Sequence, residues 1–148
     1  MIYELIQKYN PKKILIIDEL SYFKISSSKF NIQNFYQEVK ELNKEIDVYI
    51  ISNEIQENLI NININPEKIL EVNEYFNQNN IYFDLILDIN SKNMITQLSI
   101  FSLFINRTKL LYILKSEVEE KEIKLLTYNI KKFNRNIKFK DNYFFVQI

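Results

Sequence analysis

The stretch KILIID, from Lys13 to Asp18, is an unbroken apolar run that starts with a cation and ends with a carboxylate. Such a run is typical of a strand that is buried on both faces of a parallel sheet. Predominantly apolar segments that also predict strands occur at residues 47–52, 81–87 and 109–114. The sequence therefore predicts a parallel sheet with KILIID as its first strand.

Segments with apolar side chains at helical spacing lie between these runs. They predict helices at 2–9 and 35–46, from Glu54, from Asn65 to 76, at 94–105 and after Ser116. Residues 125–128 are expected to return to the sheet. The tail predicts a hairpin around Asp141-Asn142.

This alternation predicts an α/β chain with a three-layer Rossmann-like fold, a short parallel sheet flanked by helices and a C-terminal β-hairpin. The length of 148 residues suits one domain. We expect a single α/β domain over 1–148, with a core at 12–128 and a hairpin extension at 129–148.

Composition narrows the functional classes. The chain contains no Cys, His or Gly and its formal net charge is zero. The absence of Cys and His excludes thiolate chemistry and removes the commonest general base, and the absence of Gly argues against a phosphate-cradling loop. The abundance of Ile, Asn and Lys indicates an AT-rich genome, such as that of a bacterium or its phage.

The first residues lack the order of a signal peptide, and no apolar run is long enough for a membrane span, so the cytoplasm is expected.

Ligands of open α/β sheets bind beyond the carboxyl ends of the strands. At those ends the sequence places Asp18, Ser52 with Asn53, Asp88, and the segment 115–120.

Three segments resemble motifs of the haloacid dehalogenase-like (HAD-like) superfamily, over about residues 12–128. They are KILIIDELSYF, VYIISN and LLYILKSEVEE. The resemblance implies Asp18 as a nucleophile, and Ser52, Asn53 and Lys92 as phosphate-binding residues. It also implies a magnesium site drawn from Asp18, Asp88, Glu117 and Glu120, with Glu119 as a further candidate.

The sequence departs from that family pattern at two places. Leu20 stands where a second acid is expected, and the fourth strand ends in Leu114-Lys115 instead of acid. The favoured prediction is therefore a non-catalytic HAD-like pseudoenzyme that binds a protein partner, for example as a small phage-type inhibitor, with no cofactor. The alternative is a magnesium-dependent phosphatase that uses Asp18; the oligomeric state stays open.

A second alternative is binding of single-stranded nucleic acid, since cations alternate with aromatic residues near the C-terminus. The cations are Lys131, Lys132, Arg135, Lys138 and Lys140. Each candidate site also has a structural explanation: Asp18 as a loop start, Ser52 and Asn53 as a helix cap, the glutamates as a helix first turn, and the lysines as protection of a sheet edge.

Overall fold

A computed structural model describes residues 2–18, 31–52, 54–65, 68–88, 108–114, 121, 124, 128, 136–140 and 143–147. Three helices are described from end to end: α1 at Ile2–Tyr9, α2 at Ile32–Leu42 and α3 at Ile69–Asn79. Lys121, Lys124 and Tyr128 are also helical. Seven strands accompany them: β1 at Lys13–Ile17, β2 at Asp47–Ile51, β3 at Ile60–Ile62, β4 at Phe83–Asp88, β5 at Thr108–Leu114, β6 at Asn136–Lys140 and β7 at Tyr143–Gln147.

All seven strands form one sheet in the order β3-β2-β1-β4-β5-β7-β6. The pairs from β3 through β5 are parallel, whereas β7 is antiparallel to both β5 and β6. This confirms the predicted Rossmann-like α/β class and its C-terminal hairpin. The hairpin also joins the main sheet, because β7 lies between β5 and β6.

One face of the sheet is covered by α1 and α2. Apolar side chains of both helices are buried against alternate residues of β1, β2 and β4, as the two-residue period of a strand requires. The shared cluster comprises Ile2, Ile6, Ile14, Ile16, Phe35, Val39, Ile46, Val48, Ile50, Leu59, Leu85 and Leu87.

The other face is covered by α3. Tyr49 alternates with Val48 and Ile50, so it lies on the opposite face from their cluster. Its ring meets Phe83 edge-on at 5.3 Å between centroids, and Phe83 meets Phe76 of α3 at 5.2 Å. Helices therefore flank both faces.

The connection from β2 to β3 has no helix among its described residues, so the helix predicted from Glu54 is wrong. The side chain of Asn61 holds the connection instead. Its Oδ1 accepts from the backbone N–H of Gln56 at 2.8 Å, and its Nδ2 donates to the carbonyls of Gln56 at 2.9 Å and Leu59 at 2.8 Å. Leu59, 7% exposed, contributes to the cluster under α1 and α2. The loop thus covers the sheet where a helix was expected.

Asparagine occupies the left-handed backbone positions of the described chain. Asn10, Asn58 and Asn80 have φ of 45°, 67° and 49°. Asn tolerates this region better than other residues with a Cβ, which explains how a chain without glycine makes these turns.

Other predicted elements have mixed outcomes. The helix α3 begins at Ile69, later than Asn65-Pro66 suggested, and Tyr128 is helical, so the predicted strand does not include it. The predicted helix at 94–105 and the one after Ser116, except for Lys121, lie outside the described residues. No helix within the described part of the chain combines the length and apolar character needed to cross a bilayer. The domain limits stay a prediction.

Candidate functional site

The strand order places a switch point in the middle of the sheet. From β1 the chain proceeds outward through β2 to β3, and it then returns to the other side of β1 to form β4 and β5. In open α/β sheets the crevice for a ligand lies at the carboxyl ends of the strands beside such a point. The carboxyl ends of β1, β2 and β4 therefore define the candidate site.

Asp18 follows β1 directly at this edge. Its backbone N–H donates to the carbonyl of Ile51 at 3.0 Å, which continues the pairing of β1 and β2 by one step. The residue is 9% exposed, so a carboxylate is held close to the switch point in a largely buried position.

Ser52 follows β2 at the neighbouring strand end and is 5% exposed. Its Oγ accepts a hydrogen bond from the backbone N–H of Glu54 at 3.1 Å. Because Glu54 does not begin a helix, the bond closes a local turn, and the predicted helix-capping role does not hold for Ser52. The hydroxyl is thereby fixed one strand away from Asp18.

Asp88 is the last residue of β4 and lies in the centre of the same edge. Its backbone is in register with Ile17 of β1 and with Ile113 of β5. Asp18, Ser52 and Asp88 are thus brought to one edge of the sheet, as the sequence predicted from the strand ends.

Sequence reasoning missed Glu54, which it assigned to a helix. In the structure this exposed carboxylate lies in the turn that Ser52 closes. The apolar pattern after Ser52 gave no sign that the chain forms a turn there. The contacts that hold this connection are those of Asn61 within it and those of Gln33 of α2 with Gln56 and Glu57.

The remaining predicted site residues are outside the described residues or are described by backbone alone. Asn53, Lys92, Glu117, Glu120, Lys131, Lys132 and Arg135 belong to the first group, and Lys138 and Lys140 of β6 to the second. Within the described residues no group of three or more acidic side chains is placed to hold a metal ion. The assignments of residues to a metal site and to a phosphate site stay predictions.

Solved structures of methyltransferases resemble the chain over nearly its whole length. The MycE methyltransferase of mycinamycin biosynthesis, in complex with Mg, SAH and mycinamycin VI, superimposes with a TM-score of 0.72 at 12% identity, over 97% of this chain and 47% of MycE. A putative ribosomal RNA methyltransferase from Plasmodium falciparum gives 0.60 at 16% identity, over 98% of this chain and 91% of its own. An O-methyltransferase from Bacillus cereus in complex with SAH gives 0.52 at 10% identity, over 98% and 77%.

These likenesses establish a shared fold. The chain spans about half the length of MycE. No protein-family model matches the chain, and no curated protein matches it in sequence.

The comparisons correct the family resemblance read from the sequence. The solved structures similar to this chain are methyltransferases, so the HAD-like assignment over 12–128 is wrong. The order of polar strand ends that suggested it is common to parallel α/β sheets and does not identify one family.

The predicted functions are corrected with it. A HAD-like pseudoenzyme acting as a binding protein or inhibitor and a phosphatase using Asp18 both conflict with methyltransferase neighbours. Binding of single-stranded nucleic acid through the C-terminal lysines stays a prediction, because their side chains lie outside what the structure describes. The expectation of no cofactor is overturned too, because MycE and the Bacillus cereus enzyme were solved with SAH.

Proposed function

We propose that this chain binds S-adenosylmethionine at the carboxyl ends of β1, β2 and β4 and transfers its methyl group to an acceptor. The observation that carries the proposal is the likeness of 97–98% of the chain to methyltransferases, two of them solved with SAH. The switch point beside β1 supplies the crevice that such a ligand needs.

The residues at this edge fit the chemistry of the cofactor. S-adenosylmethionine is a nucleoside with a sulfonium and an amino-acid group, and it carries no phosphate. Glycine lets the backbone approach a pyrophosphate closely, and this chain has none. Because S-adenosylmethionine has no phosphate, this absence of glycine does not argue against its binding. A carboxylate at Asp18 and a hydroxyl at Ser52 suit cationic and hydroxyl groups of the ligand.

Each residue then has a role in the proposed site. When bound, the cofactor supplies an electrophilic methyl group: the lone pair of the acceptor forms the new bond to carbon, while the electron pair of the S–C bond stays on sulfur. Asp18 accepts hydrogen bonds from the ammonium group of the ligand, and Ser52 orients a hydroxyl. Glu54 adds an exposed carboxylate at the turn that Ser52 closes.

We propose that Asp88 serves the methyl acceptor. Its backbone lies between β1 and β5 at the middle of the edge. We assign it the uptake of the acceptor's proton, or the holding of a magnesium ion with Asp18, Glu117 and Glu120. Methylation rates with magnesium and with a chelator distinguish these two roles.

The methyl acceptor is the partner that the proposed reaction requires. The similar proteins differ in what they act on, since one belongs to macrolide biosynthesis and one is a putative ribosomal RNA enzyme. A protein partner therefore stays a prediction, and we propose the cytoplasm as the location, to be tested by cell fractionation.

Calorimetric titration with SAH tests the proposal. We expect saturable binding of one SAH per chain and no binding of NAD⁺, which shares the fold-level crevice but carries phosphates. Binding of NAD⁺ in place of SAH would contradict the proposal. Incubation with methyl-labelled S-adenosylmethionine and host extract then identifies the acceptor class by the fraction that becomes labelled.

A further inference from the structure

We infer that one face of the hairpin formed by β6 and β7 is a docking surface for single-stranded RNA, and that this RNA is the methyl acceptor. The role of acceptor rests on the proposed function, whereas the docking surface stands independently of it. The hairpin contains basic and aromatic residues that the proposed methyl-transfer site leaves unused.

The register of the two strands sorts the hairpin into two faces. Residues directly opposite each other in neighbouring strands share a face, and the face alternates along each strand. The first face has only apolar residues: Ile137, Phe139, Phe144 and Val146. The second, here called the mixed face, combines polar and aromatic residues: Asn136, Lys138, Lys140, Tyr143, Phe145 and Gln147. Antiparallel strands commonly pack an apolar face on a core and turn the other to water, so the mixed face is the one that suits water.

Each lysine of the mixed face is at a position opposite an aromatic residue. Lys138 is in register with Phe145, and Lys140 with Tyr143. On the other side of β7, Phe145 is in register with Tyr112 of β5. Single-stranded nucleic acids bind to such combinations, because bases stack on aromatic rings while cations attract the phosphates.

Protection of the sheet edge accounts for only part of this pattern. β6 is the last strand of the sheet, and lysines on an edge strand discourage pairing with another chain. That explanation does not extend to Tyr143 and Phe145, because β7 is already paired on both sides. Aromatic residues on a face that suits water indicate a contact surface.

The charge of this part of the sequence suits a polyanion. Residues 129–148 contain five cationic side chains and a single carboxylate side chain, that of Asp141, although the whole chain is neutral. Such a local excess of positive charge is typical of contact with phosphates. Bases in a duplex are stacked on one another, whereas RNA loops and ends offer free bases, so single-stranded RNA fits both the charge and the rings.

The register also brings the mixed face to the edge proposed for methyl transfer. Both β5 and β6 are antiparallel to β7, so β6 ends at the same carboxyl edge as β4 and β5. One level of the sheet runs through four residues in register: Asp88, Ile113, Phe144 and Phe139. Lys140 is the next residue of β6 towards that edge. Three strand spacings, about 14 Å, separate β6 from β4, and a few nucleotides of RNA bridge that distance.

Fluorescence anisotropy on the full chain tests the docking surface, with a labelled single-stranded RNA of mixed sequence and about 12 nucleotides. We expect the affinity to fall steeply between about 50 and 200 mM salt. The double variant Lys138→Gln, Lys140→Gln should bind about tenfold more weakly and with a shallower salt dependence. The control Lys12→Gln, Lys44→Gln loses the same charge from exposed positions before β1 and β2 and should bind like the unchanged protein.

Phe145→Leu separates stacking from charge. Leucine is apolar but has no ring, so the affinity should fall about tenfold while the salt dependence stays the same. Thermal unfolding shows that the variant is folded at the temperature of the measurement. An RNA duplex of the same sequence should bind the unchanged protein more weakly than the single strand does.

The outcomes separate the docking surface from the proposed function. If SAH does not bind the unchanged protein, the proposed function and the role of RNA as acceptor fail, while anisotropy still decides the surface. Absence of RNA binding, or full affinity in Lys138→Gln, Lys140→Gln, overturns the surface. Equal binding of duplex and single strand, with no effect of Phe145→Leu in the folded variant, overturns it too and indicates attraction of any polyanion.

Methyl-labelled S-adenosylmethionine and host extract test the role of RNA as acceptor. We expect the label in the RNA fraction, and less of it with Lys138→Gln, Lys140→Gln than with the Lys12→Gln, Lys44→Gln control. Label confined to proteins or small molecules would overturn that role.

Discussion

The backbone N–H of Asp18 donates to the carbonyl oxygen of Ile51 at 3.0 Å, one residue past the end of β1. This bond ties the residue at the switch point to the end of the adjacent strand. The spacing between the two strand ends is therefore set by the sheet itself. A ligand that contacts both ends meets a surface that is formed before binding.

Ser52→Ala tests the turn at the second strand end. The variant loses the acceptor for the N–H of Glu54 at 3.1 Å, which we expect to lower the free energy of unfolding by about 1 kcal/mol. SAH should bind more weakly because the turn loosens. Urea denaturation and calorimetry measure the two effects, and Ser52→Thr, which keeps a hydroxyl, is the control. Unchanged stability and affinity in Ser52→Ala would remove Ser52 from the site.

Asp84→Ala tests a carboxylate at the opposite edge. Its Oδ2 accepts from the backbone N–H groups of Lys12 at 2.8 Å and Lys13 at 3.1 Å, where β1 begins. Bonds to a charged acceptor contribute more than neutral ones, so we expect a loss of about 2 kcal/mol in urea denaturation. Asp84→Asn, which keeps one acceptor, should lose less. The affinity for SAH should not change, and a large drop in the folded variant would contradict the placement of the site.

The buried strands and the helix α2 are predictable because their patterns are local. The four residues between Lys13 and Asp18 are all apolar, and Phe35 and Val39 are four residues apart on one helix face. The three residues of β3 give no such pattern. The connection before β3 is also bonded to α2 through Gln33, which donates to Gln56 and Glu57, and a contact between segments so far apart in sequence is not visible in a local pattern. The insertion of β7 next to β5 is also invisible to local reasoning, which pairs a hairpin only with itself.

The edge of the site was predictable, but its ligand was not. Asp18 and Ser52 follow from the rule that ligands bind at the carboxyl ends of parallel strands. The same ends occur in folds that carry many chemistries, so their order suggested phosphoryl transfer as readily as methyl transfer. Comparison of the whole fold with solved methyltransferases is what supports the proposal of methyl transfer.

Asn80 provides a test of how this chain turns without glycine. It ends α3 with φ of 49°, and its N–H bonds to the carbonyls of Asn77 and Phe76. We expect Asn80→Ala to lower the free energy of unfolding by about 1 kcal/mol, because a Cβ without a polar group is disfavoured there. Asn80→Gly should be neutral or stabilising by up to about 1 kcal/mol in urea denaturation. Equal stability of the Ala and Gly variants would argue against backbone strain.

Alkaline pH should destabilise the fold through Tyr3. Burial raises the pKa of Tyr3 above its ordinary value of 10.0, and a hydrogen bond to Glu38 raises this pKa further. Above about pH 10 the unfolded chain releases a proton that the folded chain retains, so stability is full below that pH and falls as pH rises. Urea midpoints from pH 8 to 11 should therefore fall less steeply for Tyr3→Phe. Parallel curves for the two proteins would contradict this assignment.

Asn61→Ala tests the helix-free connection between β2 and β3. The variant loses one acceptor and two donor contacts, to Gln56 and Leu59, all of 2.8–2.9 Å. Because Asn61 is exposed, water replaces some of the lost hydrogen bonds. We therefore expect the free energy of unfolding, measured by urea denaturation, to fall by about 1–2 kcal/mol. Asn61→Asp keeps the acceptor for the N–H of Gln56 but places a carboxylate beside two carbonyls, so it should be no more stable than the Ala variant. Since the connection starts at Ser52, SAH should also bind Asn61→Ala more weakly at a temperature where the variant is fully folded. Full affinity would show that the turn after β2 holds its shape without Asn61.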